Sequence, residues 1–243
     1  MNISAKDVDY KDLNEALRNA DCDCTVSDCL GQRFMAAGMS DKTIKITGIP
    51  GNALGAYLNG AVIEVMGNAQ DAVGDTMNDG EIVIHGNIGD AAGYAMRGGK
   101  IFVRGNAGYR AGIHMKAYKE KKPCIVIGGK AGSFLGEYQA GGTIVVLGLS
   151  DGTDSAKGDI VGNYPSTGMH GGKMYLRSDC KNIKFPGQVS VKKATAEDLE
   201  EIEVYIKEFC KYFGCNEKEI LSSEFTVVTP DSKNPYKQMY VAN

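Results

Sequence analysis

Six apolar runs in this chain each close on a glycine, at Gly48, Gly67, Gly86, Gly105, Gly128 and Gly148, with intervals of 19, 19, 19, 23 and 20 residues. A seventh run, KMYLR, spans Lys173–Arg177. A near-constant period with β-type alternation inside each unit restricts the chain to a stack of similar coils, in which each repeat buries its apolar face against its neighbours.

Within the runs the columns separate. One reads Ile44, Ile63, Ile82, Ile101, Cys124, Ile144, Met174, and another, two residues later, reads Ile46, Val65, Ile84, Val103, Val126, Val146, Leu176. Two apolar positions in period-2 register define the inward face of a strand, so stacked coils bury them as ladders. The column between them points outward and reads Lys45, Glu64, Val83, Phe102, Ile125, Val145, Tyr175. Its first two members suit water and the rest do not, so something covers the later coils. Two covers are open at this point: the chain's own terminal segments, or a partner subunit seated on Phe102, Ile125, Val145 and Tyr175.

The corners carry the glycines. Gly67, Gly86 and Gly105 are each followed by asparagine, at Asn68, Asn87 and Asn106, and then by a second glycine at Gly74, Gly93 and Gly112. Asparagine tolerates left-handed backbone, and its amide can bond to the same residue one coil on, about 4.8 Å away. Glycine lets backbones pass where a Cβ would clash. The left-handed β-helices built from hexapeptides have coils of about 18 residues; no six-residue period occurs here. The expected fold is therefore a right-handed, single-stranded parallel β-helix of about seven coils, an all-β core with short helix-containing ends.

Those ends set the expected division: residues 1–41 as an N-terminal extension with a short helix near Lys11–Ala20, 42–178 as the β-helix, and 179–243 as a helical extension packed on it. From Thr195 the sequence has an N-cap, Asp198 three residues on, an apolar stripe of Leu199, Ile202, Ile206, Phe209 and Phe213, and Gly214 as a stop. The uncovered β-helix face is the nearest place to bury that stripe.

Bulk properties narrow the function. A formal charge of -3 and a pI near 5.7 offer no basic field for nucleic acid. No apolar stretch approaches membrane-spanning length, and the first residues lack a signal segment, so a cytoplasmic protein is expected. Seven cysteines without a secretion signal favour reduced thiols. The glycines form neither a dinucleotide nor a P-loop fingerprint, and the nucleophile elbow G-x-S-x-G is missing.

Of three histidines, His114 and His170 each follow a corner glycine by two residues but lie about two coils, roughly 10 Å, apart, too far for one zinc. They read mainly as structural residues, as do Cys22, Cys24 and Cys29, whose spacing matches no common metal site. Acid pairs such as Asp71 with Asp90, or Asp75 with Asp79, fall in turns where carboxylates cap backbone N–H groups. No catalytic, cofactor-binding or metal-binding residue is assigned. The segment His114–Lys122 lengthens one coil and is expected to protrude.

The motifs GIPGNALGAYLNG, GNAQDAVGDTMNDGEIVIHG, MRGGKIFVRGNAGYRAGIHMK, FLGEYQAGG and TGMHGG resemble the C-terminal glycine-repeat (GXGXG) domain of the glutamate synthase large subunit, in its stand-alone form. They are similar, more loosely, to the C subunit of formylmethanofuran dehydrogenase. The first resemblance implies a non-catalytic scaffold in an ammonia-assimilating oxidoreductase, with FMN and iron–sulfur clusters and the amidotransferase in partner subunits. The alternative is a component of a tungsten- or molybdenum-dependent formylmethanofuran dehydrogenase-type complex, or a β-solenoid that associates only with itself.

Overall fold

The computed structural model describes residues 1–150, 154–155 and 159–232. In chain order the elements are β1 (Asn2–Ser4), α1 (Tyr10–Asn19), β2 (Cys24–Leu30), β3 (Thr43–Ile49), β4 (Asn59–Val65), β5 (Asp79–Ile84), β6 (Lys100–Val103), β7 (Cys124–Ile127), β8 (Ala140–Val146), β9 (Leu149–Ser150), β10 (Asp154–Ser155), β11 (Gly171–Leu176), β12 (Val189–Lys193), α2 (Ala196–Phe213), α3 (Glu217–Leu221) and β13 (Thr226–Pro230). Strands β1 to β8 and β11 lie side by side in parallel, one per coil, and β13 then β12 extend the same sheet in antiparallel fashion. The chain is a parallel β-solenoid.

The inward ladders form as the periodicity demands. Ile44, Ile63, Ile82, Ile101, Ile125, Ile144 and Met174 stack in register, as do Ile46, Val65, Ile84, Val103, Ile127, Val146 and Leu176. All fourteen are fully buried in one core, and each such side chain contributes about 1.5–3 kcal/mol by leaving water.

One coil corrects the sequence reading. Aligning on Gly128 places Cys124 and Val126 inward and Ile125 outward, but the structure pairs Ile125 with Ile101 and Ile127 with Val103. The corner glycine of this coil is Gly129, whose N–H donates to Gly105 O, while Gly128 N–H still continues the strand by bonding Val103 O. The insertion is thus one residue longer than read, and a one-residue slip moves every side chain to the other face. Ile125 belongs to the solenoid core, not to its outer stripe.

The boundary at residue 42 also moves. Strand β2 pairs in parallel with β3 and sets Cys24 and Val26 against Ile44 and Ile46, so the solenoid starts inside the segment read as an extension. Helix α1, capped by the Asp9 carboxylate on Lys11 N–H, covers the open end of the stack with Leu13 and Leu17. At the other end the β12–β13 pair adds strands to an extension expected to be helical.

The outer column is Lys45, Glu64, Val83, Phe102, Val126, Val145 and Tyr175. From Val83 onward it is fully buried beneath α2 and β13, in a second apolar cluster with Ile202, Ile206, Phe209, Phe225 and Val227. The chain therefore covers the stripe itself, and Phe102, Val145 and Tyr175 are closed to a partner. Helix α2 starts with the expected capping box between Thr195 and Asp198 and stops at Gly214 with φ 73°.

Its direction follows from its anchors. Near the N-terminal end Glu201 bonds Lys173 and Tyr175 on β11, and near the C-terminal end Tyr212 bonds Glu81 on β5 while Phe213 packs edge-on against His85. Residues 201 to 213 span about 18 Å of helix, and four strand spacings from β11 to β5 span about 19 Å. The helix thus lies along the stacking direction, across all five strands.

Burial raises the Glu81 carboxyl, but hydrogen bonds from Tyr212 and Lys100 outweigh it and hold the group below its usual range. A depressed carboxylate contributes stability that is complete above the unfolded-state value and is lost as pH falls through the folded one. Acidification below about pH 4 is therefore expected to loosen the C-terminal half of α2 before the solenoid melts. Tyrosine near-UV circular dichroism follows this directly, and a Glu81→Gln variant should show no separate acid phase.

Candidate functional site

Each coil turns at two kinds of corner. At the first, Asn68 Oδ1 accepts from Asn87 N–H at 2.8 Å, Asn87 Oδ1 from Asn106 N–H at 2.7 Å, and Asn106 Oδ1 from Lys130 N–H at 2.7 Å. The asparagines thus bond side chain to backbone up the stack, and their own φ is not positive. Asp71 and Asp90 form a parallel ladder to the N–H groups of Asp90 and Tyr109 at 2.8 Å each. These carboxylates are structural caps. Asn87→Ala should lower stability by about 1 kcal/mol, read from a shifted urea midpoint at unchanged slope.

The second corner holds the strain. Ala72, Gly74 and Thr76 have φ of 57°, 69° and 52°, and the pattern recurs at Ala91, Gly93 and Ala95, at Arg110, Gly112 and His114, and at Phe134, Gly136 and Tyr138. L-residues avoid this region by about 1–2 kcal/mol each. The stack offsets the cost with bonds in both directions: Ala72 N–H donates to Asp90 O and Thr76 N–H to Tyr94 O on the next coil, Gly74 N–H to Leu54 O on the previous one. Gly67, Gly86 and Gly105, by contrast, serve as close-approach positions at the asparagine corner.

On the later coils this second corner displays rings. Tyr109, Phe134 and Tyr164 form one row with centroids 5.4 and 5.2 Å apart, and Tyr94, His114 and Tyr138 a second row at 5.8 and 5.2 Å. The Arg110 guanidinium lies over Tyr109 and Phe134 at 4.7 and 5.4 Å and bonds the Glu137 carboxylate at 2.6 Å. Tyr94, Tyr109, Tyr138 and Tyr164 are 36 to 63% exposed. Tyrosine and arginine on a rigid, water-facing surface are the residue types that anchor protein interfaces. Beside the strip is a groove of about 600 Å³ lined by His114, Lys116, Tyr138, Ala140, His170, Gly171 and Gly172.

The other candidates are spent elsewhere. His85 bonds Glu64 at 2.9 Å. Cys24 and Cys29 are buried while Cys22 is exposed, and burial pushes the Cys29 thiol up to about 11 and that of Cys210 up to about 12. Among the described residues no three His, Cys, Asp or Glu side chains gather as metal ligands. The Lys116–Lys122 insertion is tied down rather than free: Lys121 bonds Asp79 at 2.7 Å, two coils back. No helix among the described residues is long and apolar enough to cross a membrane.

The GXGXG motif family model matches residues 7–231, nearly the whole chain. The chain belongs to the GXGXG motif family. This GXGXG protein is similar to an uncharacterized protein of Methanocaldococcus jannaschii, 47% identical over 250 residues that cover 98% of this chain and 95% of that one. Its fold is similar to a chain of the formyltransferase/hydrolase complex of Methylorubrum extorquens, solved in complex with methylofuran. That match has a TM-score of 0.61 at 19% identity, covering 84% of this chain and 71% of the other. The GXGXG fold is thus shared with a chain of a multi-subunit assembly.

The ring strip escapes a reading of the sequence because its side chains vary on a fixed backbone. The signal that points to it is the column Phe34, Ala53, Ala72, Ala91, Arg110, Phe134, Tyr164, which carries alanine on three successive coils and large planar groups on the last three.

Proposed function

We propose that this GXGXG protein is a non-catalytic structural subunit of a multi-subunit complex of the formylmethanofuran dehydrogenase or formyltransferase/hydrolase type. It docks a larger subunit through the strip of Tyr94, Tyr109, Phe134 and Tyr164. The observation that carries this reading is which face the chain leaves open: the apolar sheet face is covered by its own α2, and the water-facing rings lie on the second corner. The fold likeness to a chain of the formyltransferase/hydrolase complex, along 84% of this chain, supports that type of partner. The glutamate synthase reading rests on the shared family motif alone, and formylmethanofuran dehydrogenase-type partners replace it here.

Affinity purification of the tagged full chain from its native host is the test. Co-purification of a formyltransferase/hydrolase or a tungsten or molybdenum polypeptide is expected, and it should be lost in Tyr109→Glu with Tyr164→Glu. Recovery of the chain alone or with copies of itself would overturn the reading, and recovery of an amidotransferase with a flavin protein would return it to glutamate synthase.

A further inference from the structure

The groove next to the ring strip has an unusual electrostatic composition. Its ionisable lining consists of His114, Lys116, Tyr138 and His170, with Ala140, Gly171 and Gly172 completing the wall and no carboxylate among them. The chain as a whole carries more acidic than basic residues, 30 against 27, so this composition is a local inversion. Several lysines elsewhere on the solenoid are paired with carboxylates: Lys45 with Glu64, Lys100 with Glu81 and Glu208, Lys121 with Asp79, Lys173 with Glu201. Among the described residues Lys116 has none. The buried carboxylate of Glu137, on the coil where the groove lies, is held by Arg110.

The two imidazoles are fixed in place. His114 stacks on Tyr138 with the rings 11° from parallel and meets Tyr94 edge-on at 79°. His170 Nδ1 lies 3.0 Å from Gly168 O; a carbonyl only accepts, so Nδ1 carries the proton and Nε2 remains for a ligand. The surrounding glycines are required by space. A Cβ on Gly168 would fall 2.3 Å from the Tyr138 ring, one on Gly171 would fall 2.4 Å from Ala140 O, and one on Gly172 would fall 2.5 Å from Gln139 Nε2. A space of this size is within the range that holds a small metabolite, and imidazoles already held in place lose little entropy on binding.

We propose that this groove binds a small molecule through an oxyanion group, carboxylate or phosphoryl, held by Lys116 Nζ beside the His170 ring, with the stacked His114 and Tyr138 rings as its wall. The inference goes beyond the docking role and is tested on the isolated chain, so failure to capture a partner leaves it standing and its own failure leaves docking untouched.

The experiment is a titration of the full-length chain, its histidines labelled with nitrogen-15, with inorganic phosphate and separately with citrate, at a constant ionic strength of about 0.15 M. Saturable shifts of the His114 and His170 ring signals are expected with at least one anion, with a Kd of about millimolar. Response to phosphate alone identifies a phosphoryl ligand, response to citrate alone a carboxylate, and response to both the shared chemistry. Lys116→Met should weaken binding about tenfold, while Lys119→Met, in the same loop but outside the groove lining, should not change it. Shifts that grow without saturating, or a Lys116→Met protein that binds as the parent does, would overturn the site. Far-UV circular dichroism of both variants excludes unfolding as the cause.

Discussion

Replacing Phe209 with alanine is expected to lower the stability of the folded chain by about 3–5 kcal/mol, the range for deleting a fully buried aromatic side chain. Phe209 is wholly buried, and its ring tip reaches so close to Gly128 that a Cβ there would lie 2.8 Å from it. The ring packs in the outer apolar cluster with Phe102, Val126 and Val145. With the ring gone, α2 loses its central anchor and the stripe meets water, so binding of a hydrophobic dye should rise as the urea midpoint falls. Gly128→Ala would set a Cβ 2.3 Å from Arg104 O as well as against the same ring, and should act in the same direction. A Phe209→Ala protein with an unchanged midpoint would mean that α2 does not hold the sheet.

Gly105→Ala is expected to cost about 2–4 kcal/mol, combining overpacking with a lost hydrogen bond. Its Cβ would sit 2.4 Å from Asn87 Oδ1 and 2.8 Å from Gly86 O. Neither neighbour can yield without lengthening the bond from Asn106 N–H to Asn87 or separating two coils. Gly74→Ala makes the instructive contrast, because the atom a Cβ would meet there is the mobile Cδ1 of Ile101 at 2.6 Å. Its left-handed backbone, φ 69°, costs an alanine about 1–2 kcal/mol. Gly187, with nothing within 4 Å, should accept alanine without change. Chemical denaturation of the three variants ranks them, and equal effects at Gly105 and Gly74 would contradict the close-packed geometry of the asparagine corner.

The solenoid is readable from the sequence because Ile44, Ile63, Ile82 and Ile101 recur at one spacing, each with a second apolar residue two positions on at Ile46, Val65, Ile84 and Val103. The reading slips at Cys124–Gly129 because two adjacent glycines offer two ways to close the coil, and apolar residues on both faces of β7 do not decide between them. Residues 24–30 do not read as a coil because Cys29 stands where Gly48 closes the next run, and the register shifts between Val26 and Cys29. The cover over Phe102, Val145 and Tyr175 is open, in the sequence, between the chain's own end and a partner. The stripe on α2 gives it a tenant, but only the anchors at Tyr175 and Glu81 fix which strands it crosses. The ring strip and the groove are illegible for a different reason: they arise where coils bring residues 20 to 30 apart in sequence into contact, with no apolar period to announce them.

Because α2 lies across β5, β6, β7, β8 and β11, this stack is not a free row of independent rungs. In a plain solenoid, opening of one rung is felt only by the next; here, opening any rung under the helix strips apolar contacts from the others. The amide protons of β5 to β11 should then exchange with solvent as one cooperative unit. Strands β3 and β4, whose outward Lys45 and Glu64 face water without a helix above them, should open by a separate and easier route. The molecule has a stiff end and a soft end, and the stiff one carries the rings.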